Sequence, residues 1–203
     1  MYVNTALVGS RKKTWKNGGK KDMIVCIDCG HGMTTRGKEC LDGTKEWVLN
    51  SRIGEYVEKM LKENGITVVR SDDRTGKPDV PLSTRVRKAN ELSDYFISIH
   101  HNAGIKGGHG GGIVVFWYSS KPEREKQARA LYNNAVRITG LKGNRSAPVV
   151  KKALYVLRKT KCPALLIECG FMDSVRDLPI IKTDEFARGI AIAIAEFVLN
   201  DIK

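Results

Sequence analysis

No apolar run in the 203 residues comes near the roughly 20 that a membrane-crossing helix needs, so a spanning segment and membrane insertion are excluded. Aromatic residues are sparse at 7%, and none interleaves with a basic helix to form a base-stacking surface. With no recognised binding motif either, nucleic acid is not the expected partner. A secretory signal is also missing, because the short apolar stretch Tyr2 to Val8 precedes the nearby basic cluster instead of following it. Acidic residues are absent from the first 21 positions, and histidine occurs four times in the whole chain. The five cysteines (Cys26, Cys29, Cys40, Cys162, Cys169) are odd in number and include a single close pair. Cys26-x-x-Cys29 sits inside an apolar strand-like run and not at a helix start, which argues against a redox pair. Without a second close pair, a four-cysteine zinc site is disfavoured as well. The cysteines read as buried thiols of a chain made in a reducing compartment.

Present instead is an excess of cations. Thirty-five Lys and Arg face 22 Asp and Glu, for a net charge of +13. Arg11, Lys12, Lys13, Lys16, Lys20 and Lys21 supply six of these charges, and the segment also holds Gly18-Gly19 without any period. Residues 1–22 therefore read as a basic flexible arm or leader, and residues 23–203 as one catalytic domain. So basic a surface attracts polyanions: nucleic acid, anionic headgroups or acidic wall polymers. With 41% hydrophobic and 28% charged residues, the composition is that of a single globular domain.

Strand and helix signals alternate. Met23 to Asp28 is a short apolar run closed by Gly30, as in a buried strand. From Glu46 to Asn64, Leu49, Ile53, Tyr56, Val57, Met60 and Leu61 recur at helical spacing, with Gly65 as a stop. A strand is expected at Ile66–Arg70 and a helix at Pro81–Leu92, with Ser83 as its cap and Leu82, Val86, Ala89 and Asn90 on one side. Tyr95–Ile99 reads as a strand, Gly104–Gly112 as a loop, Ile113–Tyr118 as a strand and Pro122–Thr139 as a helix. Short strands are expected at Leu154–Leu157 and Ala164–Ile167, then a helix at Asp184–Asn200 with Phe186, Ile190, Ala193, Ile194 and Phe197 inward. The fold class is α/β: one domain, a twisted and mostly parallel sheet of about six strands, helices on both faces.

In such sheets ligands lie beyond the carboxyl ends of the strands. Four separate segments bring polar side chains there: His31 after the first strand, Glu46 in the first turn of the first helix, His100 after Tyr95–Ile99, and Glu168 after Ala164–Ile167. Two imidazoles and one carboxylate with an open fourth position form the ligand set of a catalytic zinc ion. A second carboxylate beside the attacking water is what amide hydrolysis requires. Strand alternation separates His100 from His101, which makes His100 the ligand and His101 a pocket residue or a support for the ligands. His109, within the glycine loop, is expected in solvent.

These residues fall into motifs. Asp28-Cys29-Gly30-His31, Glu46 followed by Asn50, Leu82 with Arg85, Ala89 and Asn90, Ser98-x-His100-x-Asn102-Ala103, and Glu168-x-Gly170-Phe171 occur in that order. From Met23 to about Asn200 the chain resembles the zinc-dependent N-acetylmuramoyl-L-alanine amidases of the amidase 3 type, which include phage endolysins and bacterial autolysins. It departs from their pattern at Cys29 (usually proline), Met33 (often glycine) and Ser174 (commonly asparagine), none of which is a ligand. The resemblance implies one Zn2+ ion per chain on His31, Glu46 and His100, with Glu168 passing the proton of the attacking water to the leaving nitrogen. Asp28, Asn102 and His101 are then candidates for substrate binding or for supporting the ligands. The implied reaction cleaves the amide between N-acetylmuramic acid and L-alanine in peptidoglycan, giving cell-wall lysis. Anionic wall polymers are a further partner for the basic surface. Lacking a signal peptide, such an enzyme would be made in the cytoplasm and act on the wall after release. Alternatives are another zinc-dependent peptidoglycan peptidase or a deacetylase, and more remotely a basic nucleic-acid-binding protein.

Overall fold

The computed structural model describes residues 23–200, so the basic segment 1–22 lies outside the described residues. The elements are β1 (Ile24–Cys29), α1 (Glu46–Glu63), β2 (Thr67–Arg70), α2 (Leu82–Leu92), β3 (Tyr95–Asn102), β4 (Ile113–Trp117), α3 (Glu123–Thr139), β5 (Val149–Lys151), α4 (Tyr155–Lys159), β6 (Ala164–Phe171), α5 (Leu178–Ile181) and α6 (Asp184–Asn200). One sheet of six strands has the order β2-β1-β3-β6-β4-β5.

Connections decide strand direction. α1 and α2 cross over between β1, β2 and β3, and these strands are parallel. No helix separates β3 from β4. The chain reverses through the glycine-dense loop, and β4 runs antiparallel to β6 while β3 runs parallel to it. α3 then returns the chain so that β5 lies parallel to β4.

Alternation along the strands fills two apolar layers. On one face Val25, Ile27, Ile97, Ile99 and Ile167 pack with Leu49, Ile53, Val57 and Leu61 of α1, Leu131 of α3 and Phe186, Ile190, Ile194 and Phe197 of α6. On the other, Cys26, Phe96, Ala164 and Leu166 meet Val86 and Ala89 of α2 and Val156 and Leu157 of α4. Each large aliphatic side chain so buried contributes about 1.5–3 kcal/mol. Cys26 and Cys29 fall in opposite layers, so they cannot grip one ion or bridge, and all five cysteines are free thiols.

Three local expectations are corrected. The run at Leu154–Leu157 is not a strand: Tyr155–Lys159 is a turn and a half of helix that buries Val156 and Leu157 and leaves the basic pair outside. Periodicity cannot separate strand from helix in so short a segment. The true fifth strand, Val149–Lys151, is three residues at the sheet edge, too brief to carry a pattern. Ser83 does not cap α2. Pro81 occupies that position, its carbonyl accepting from the amides of Thr84 and Arg85, and Leu82 is half-exposed instead of facing the core.

Candidate metal and proton-transfer site

β1, β3 and β6 each deliver one functional group to the carboxyl edge of the sheet, and α1 delivers the fourth. Beyond the end of β1 the backbone turns sharply, and His31 adopts φ 65°, a left-handed conformation that is costly for a residue with a side chain. Arg85 holds it there. Its guanidinium is buried and donates to the carbonyls of Cys29 at 2.6 Å, His31 at 2.8 Å and Val80 at 2.8 Å. Gly30 is required by proximity: a Cβ on it would lie 2.0 Å from Cε1 of His100. Glu46 opens α1, where a helix N-terminus favours an acid. Its amide donates to the Lys38 carbonyl at 2.9 Å.

Nε2 of His31 lies 3.4 Å from Oε2 of Glu46, and Nδ1 of His100 lies 3.1 Å from Oε1. The two imidazole rings are perpendicular with centroids 4.9 Å apart. One donor atom from each of the three residues falls within 4.8 Å of the others. Burial lowers the His31 pKa to about 4 against the pull of Glu46, so the imidazole is neutral at pH 7. Burial opposes the Glu46 charge, yet the hydrogen bond and charge of His100 and the charge of His31 bring it to about 2. His100 is raised: burial works against its charge, and the hydrogen bond and charge of Glu46 outweigh that. The site thus attracts a cation to a neutral His31 and a fixed Glu46 carboxylate, and a proton on His100 competes for the same place. Oε2 of Glu46 is buried without a hydrogen-bond partner. A divalent ion would satisfy it, so the donor set fits zinc.

Glu168 is the register neighbour of His100 across β3 and β6. Its Oε2 is also buried and unpartnered. Burial raises its pKa to about 7, helped by the Glu46 charge and opposed by His100, Lys38 and Lys152. A carboxyl poised there can both accept and return a proton near neutrality.

The remaining expected residues lie around these four. His101 is buried; its amide donates to Oε1 of Glu46 at 3.1 Å and its Nδ1 pairs with Oδ1 of Asn50 at 2.8 Å. Burial lowers its pKa to about 4. Asp28 is 1% exposed and fully engaged, accepting from Ser71 Oγ at 2.7 Å, Arg85 Nη1 at 2.8 Å and Ser98 Oγ at 2.6 Å. It therefore acts through Arg85, which shapes the His31 turn. Asn102 turns its Oδ1 to the amide of Ala103. His109 is exposed, as expected.

Sequence reasoning gave no role to Asn50, which donates to the Gly30 carbonyl at 3.1 Å and to Glu46 Oε1 at 3.4 Å and, with its bond to His101, joins α1 to the turn after β1 and to β3. Its signal was the four-residue spacing from Glu46, one turn along the same helix face. Asp173 was missed as well. Its Oδ2 accepts the amides of Gly104, Ile105 and Lys106, each at 2.8 Å, clipping the loop after His100 to the turn after Glu168. Ser174 adds a bond to the Gly110 carbonyl at 2.6 Å. Beside His31 and His100 opens a cavity of about 360 Å³, with Asp79, Val80, Pro81 and Leu82 on its far wall.

A family profile described as N-acetylmuramoyl-L-alanine amidase matches residues 25–200. Among curated proteins, the chain is 30% identical over 173 residues to the uncharacterized protein YqiI of Bacillus subtilis strain 168, covering 84% of this chain and 80% of that one. It is 30% identical over 170 residues to N-acetylmuramoyl-L-alanine amidase CwlM of Bacillus licheniformis, covering 82% of this chain and 64% of the relative. Of several such relatives the chain spans only about half to two thirds of the length. Among solved structures, N-acetylmuramoyl-L-alanine amidase AmiC2 of Nostoc punctiforme superposes with a TM-score of 0.80 at 29% identity, covering 91% of this chain and 99% of the other.

Proposed function

The chain belongs to the N-acetylmuramoyl-L-alanine amidase family of the amidase 3 type, and on that premise we propose that it hydrolyses the amide joining N-acetylmuramic acid to L-alanine in peptidoglycan, with zinc held by His31, Glu46 and His100. The observation that carries this reading is the meeting of those three side chains, from segments up to 69 positions apart, beside a partnerless buried carboxyl on Glu168. Zinc in such a set supplies Lewis acidity toward the scissile carbonyl and the attacking water.

The chain's own groups do the rest. Glu168, in its carboxylate form, takes a proton from the attacking water. The water oxygen bonds to the lactyl carbonyl carbon, the carbon–nitrogen bond breaks, and Glu168 returns the proton to the departing alanine nitrogen. Proton transfer of this kind is worth roughly 10²–10⁴ in rate. His101 and Asn50 orient Glu46, Arg85 orients His31, and Gly30 leaves room for the His100 ring. The site of action in this reading is the cell wall, and its anionic polymers are a second partner for the basic surface.

The test is digestion of purified walls followed by mass spectrometry. Stem peptides with free L-alanine amino termini are expected, lost with a chelator and restored by Zn2+. New amino termini elsewhere in the peptide would mean a peptidase, and released acetate a deacetylase; either overturns the proposal.

A further inference from the structure

The sheet order sets a direction across the site. Going from β1 to β3 to β6, the side chains met are His31, His100 and Glu168. The cavity lies at the β1 end, between His31 and the start of α2. Glu168 lies at the β6 end. If Glu168 protonates the leaving nitrogen, that nitrogen and the peptide attached to it must sit on the β6 side. The acyl carbon's other substituent then points the opposite way, toward the cavity.

The chemistry of the two ends agrees with that direction. Val80, Pro81 and Leu82 present an apolar wall, with Leu82 51% exposed although nothing in the hydrophobic layers needs it there. The polar group beside them is Asp79, an acceptor tied to Thr35 Oγ1 at 2.7 Å and Arg85 Nη2 at 3.2 Å. The apolar wall suits the acetamido and lactyl methyl groups of a sugar, while Asp79, its charge already balanced by Arg85, can accept from the sugar's hydroxyls. Beyond β6, Lys152 stands over the ring of Phe116 on β4 and its charge acts on Glu168, so it can attract a stem peptide's carboxylates.

We propose that the cavity beneath the start of α2 seats the muramoyl half of the substrate, with Leu82 as its apolar contact, while the stem peptide lies across β6 toward Lys152. This rests on the amidase reading and adds the polarity of binding to it. The test measures binding of the two product halves to the zinc-loaded enzyme by ligand-observed NMR: N-acetylmuramic acid, and the acidic dipeptide L-Ala-γ-D-Glu. Leu82→Trp, at an exposed position, is expected to weaken N-acetylmuramic acid by roughly tenfold, the equivalent of about 1.4 kcal/mol, and to leave the peptide unchanged. Lys152→Ala is expected to do the reverse. If Leu82→Trp weakens the peptide, or moves neither ligand, the proposed polarity is wrong. Failure of the unmodified enzyme to release L-alanine-headed peptides from walls is a separate result, and overturns the amidase reading instead.

Discussion

The imidazole of His100 lies directly over the backbone of Gly30, so closely that any side chain at position 30 would overlap the ring: an added Cβ meets Cε1 at 2.0 Å, Nδ1 at 2.3 Å and Nε2 at 2.4 Å. A turn that looks like simple loop chemistry is thus a spacing constraint between the neighbouring strands β1 and β3.

Gly30→Ala should displace His100 and break the ligand set without emptying the core. The expected result is a folded protein by circular dichroism whose zinc content after dialysis falls well below one per chain. Full occupancy would show that the ring has another way to reach the ion.

Asp28 and Arg85 form a buried pair whose loss should be felt throughout β1. Burial would raise the Asp28 pKa, but the Arg85 charge and the hydroxyls of Ser71 and Ser98 outweigh it and hold the carboxyl below its ordinary 3.8. A depressed folded-state value contributes stability above the unfolded value, and that contribution is lost as pH falls through the folded one. Glu58, lowered to about 2 by Arg74 and Lys62 against its partial burial, adds in the same direction. Stability should therefore fall from about pH 4.5 downward. Asp28→Asn leaves the buried Arg85 with only the partly exposed Asp79 as counter-charge and should cost about 3–5 kcal/mol at pH 7. Urea unfolding at pH 7 and pH 3 checks both, the variant showing the smaller difference between them.

Much of this was legible in the sequence because the chemistry sits at strand ends, where runs such as Ala164–Ile167 stop and a charged residue follows. The long helices α1 and α6 announced themselves through repeated apolar spacing. What stayed hidden depended on distant partners. Asp28 is occupied by Ser71, Arg85 and Ser98, which lie 43, 57 and 70 positions away, so nothing local distinguished it from a substrate contact. α4 and β5 were too short to show a period, and Leu82, the first residue of α2, lies outside the stretch that packs on the sheet through Val86 and Ala89.

Asp173 should matter more for the loop than for the fold. Asp173→Ala removes the acceptor of three amides at 104–106 and should speed hydrogen exchange across 104–112 at a stability cost of about 1–3 kcal/mol. Unchanged exchange in that loop would mean that its own turns suffice.

The +13 charge predicts that wall binding weakens as salt rises, since exposed charges are screened beyond about 8 Å at 0.15 M ionic strength. Sedimentation of protein with purified walls at low and high salt measures it. Binding that does not change with salt would assign attachment to uncharged contacts.

The most direct test separates the metal from the proton carrier. Glu168→Gln should keep one zinc per chain and lose roughly 10²–10⁴ in turnover on purified peptidoglycan, while His31→Ala loses the zinc as well. Glu168→Gln with full turnover, or with its zinc gone, would contradict the division of roles between His31, Glu46, His100 and Glu168.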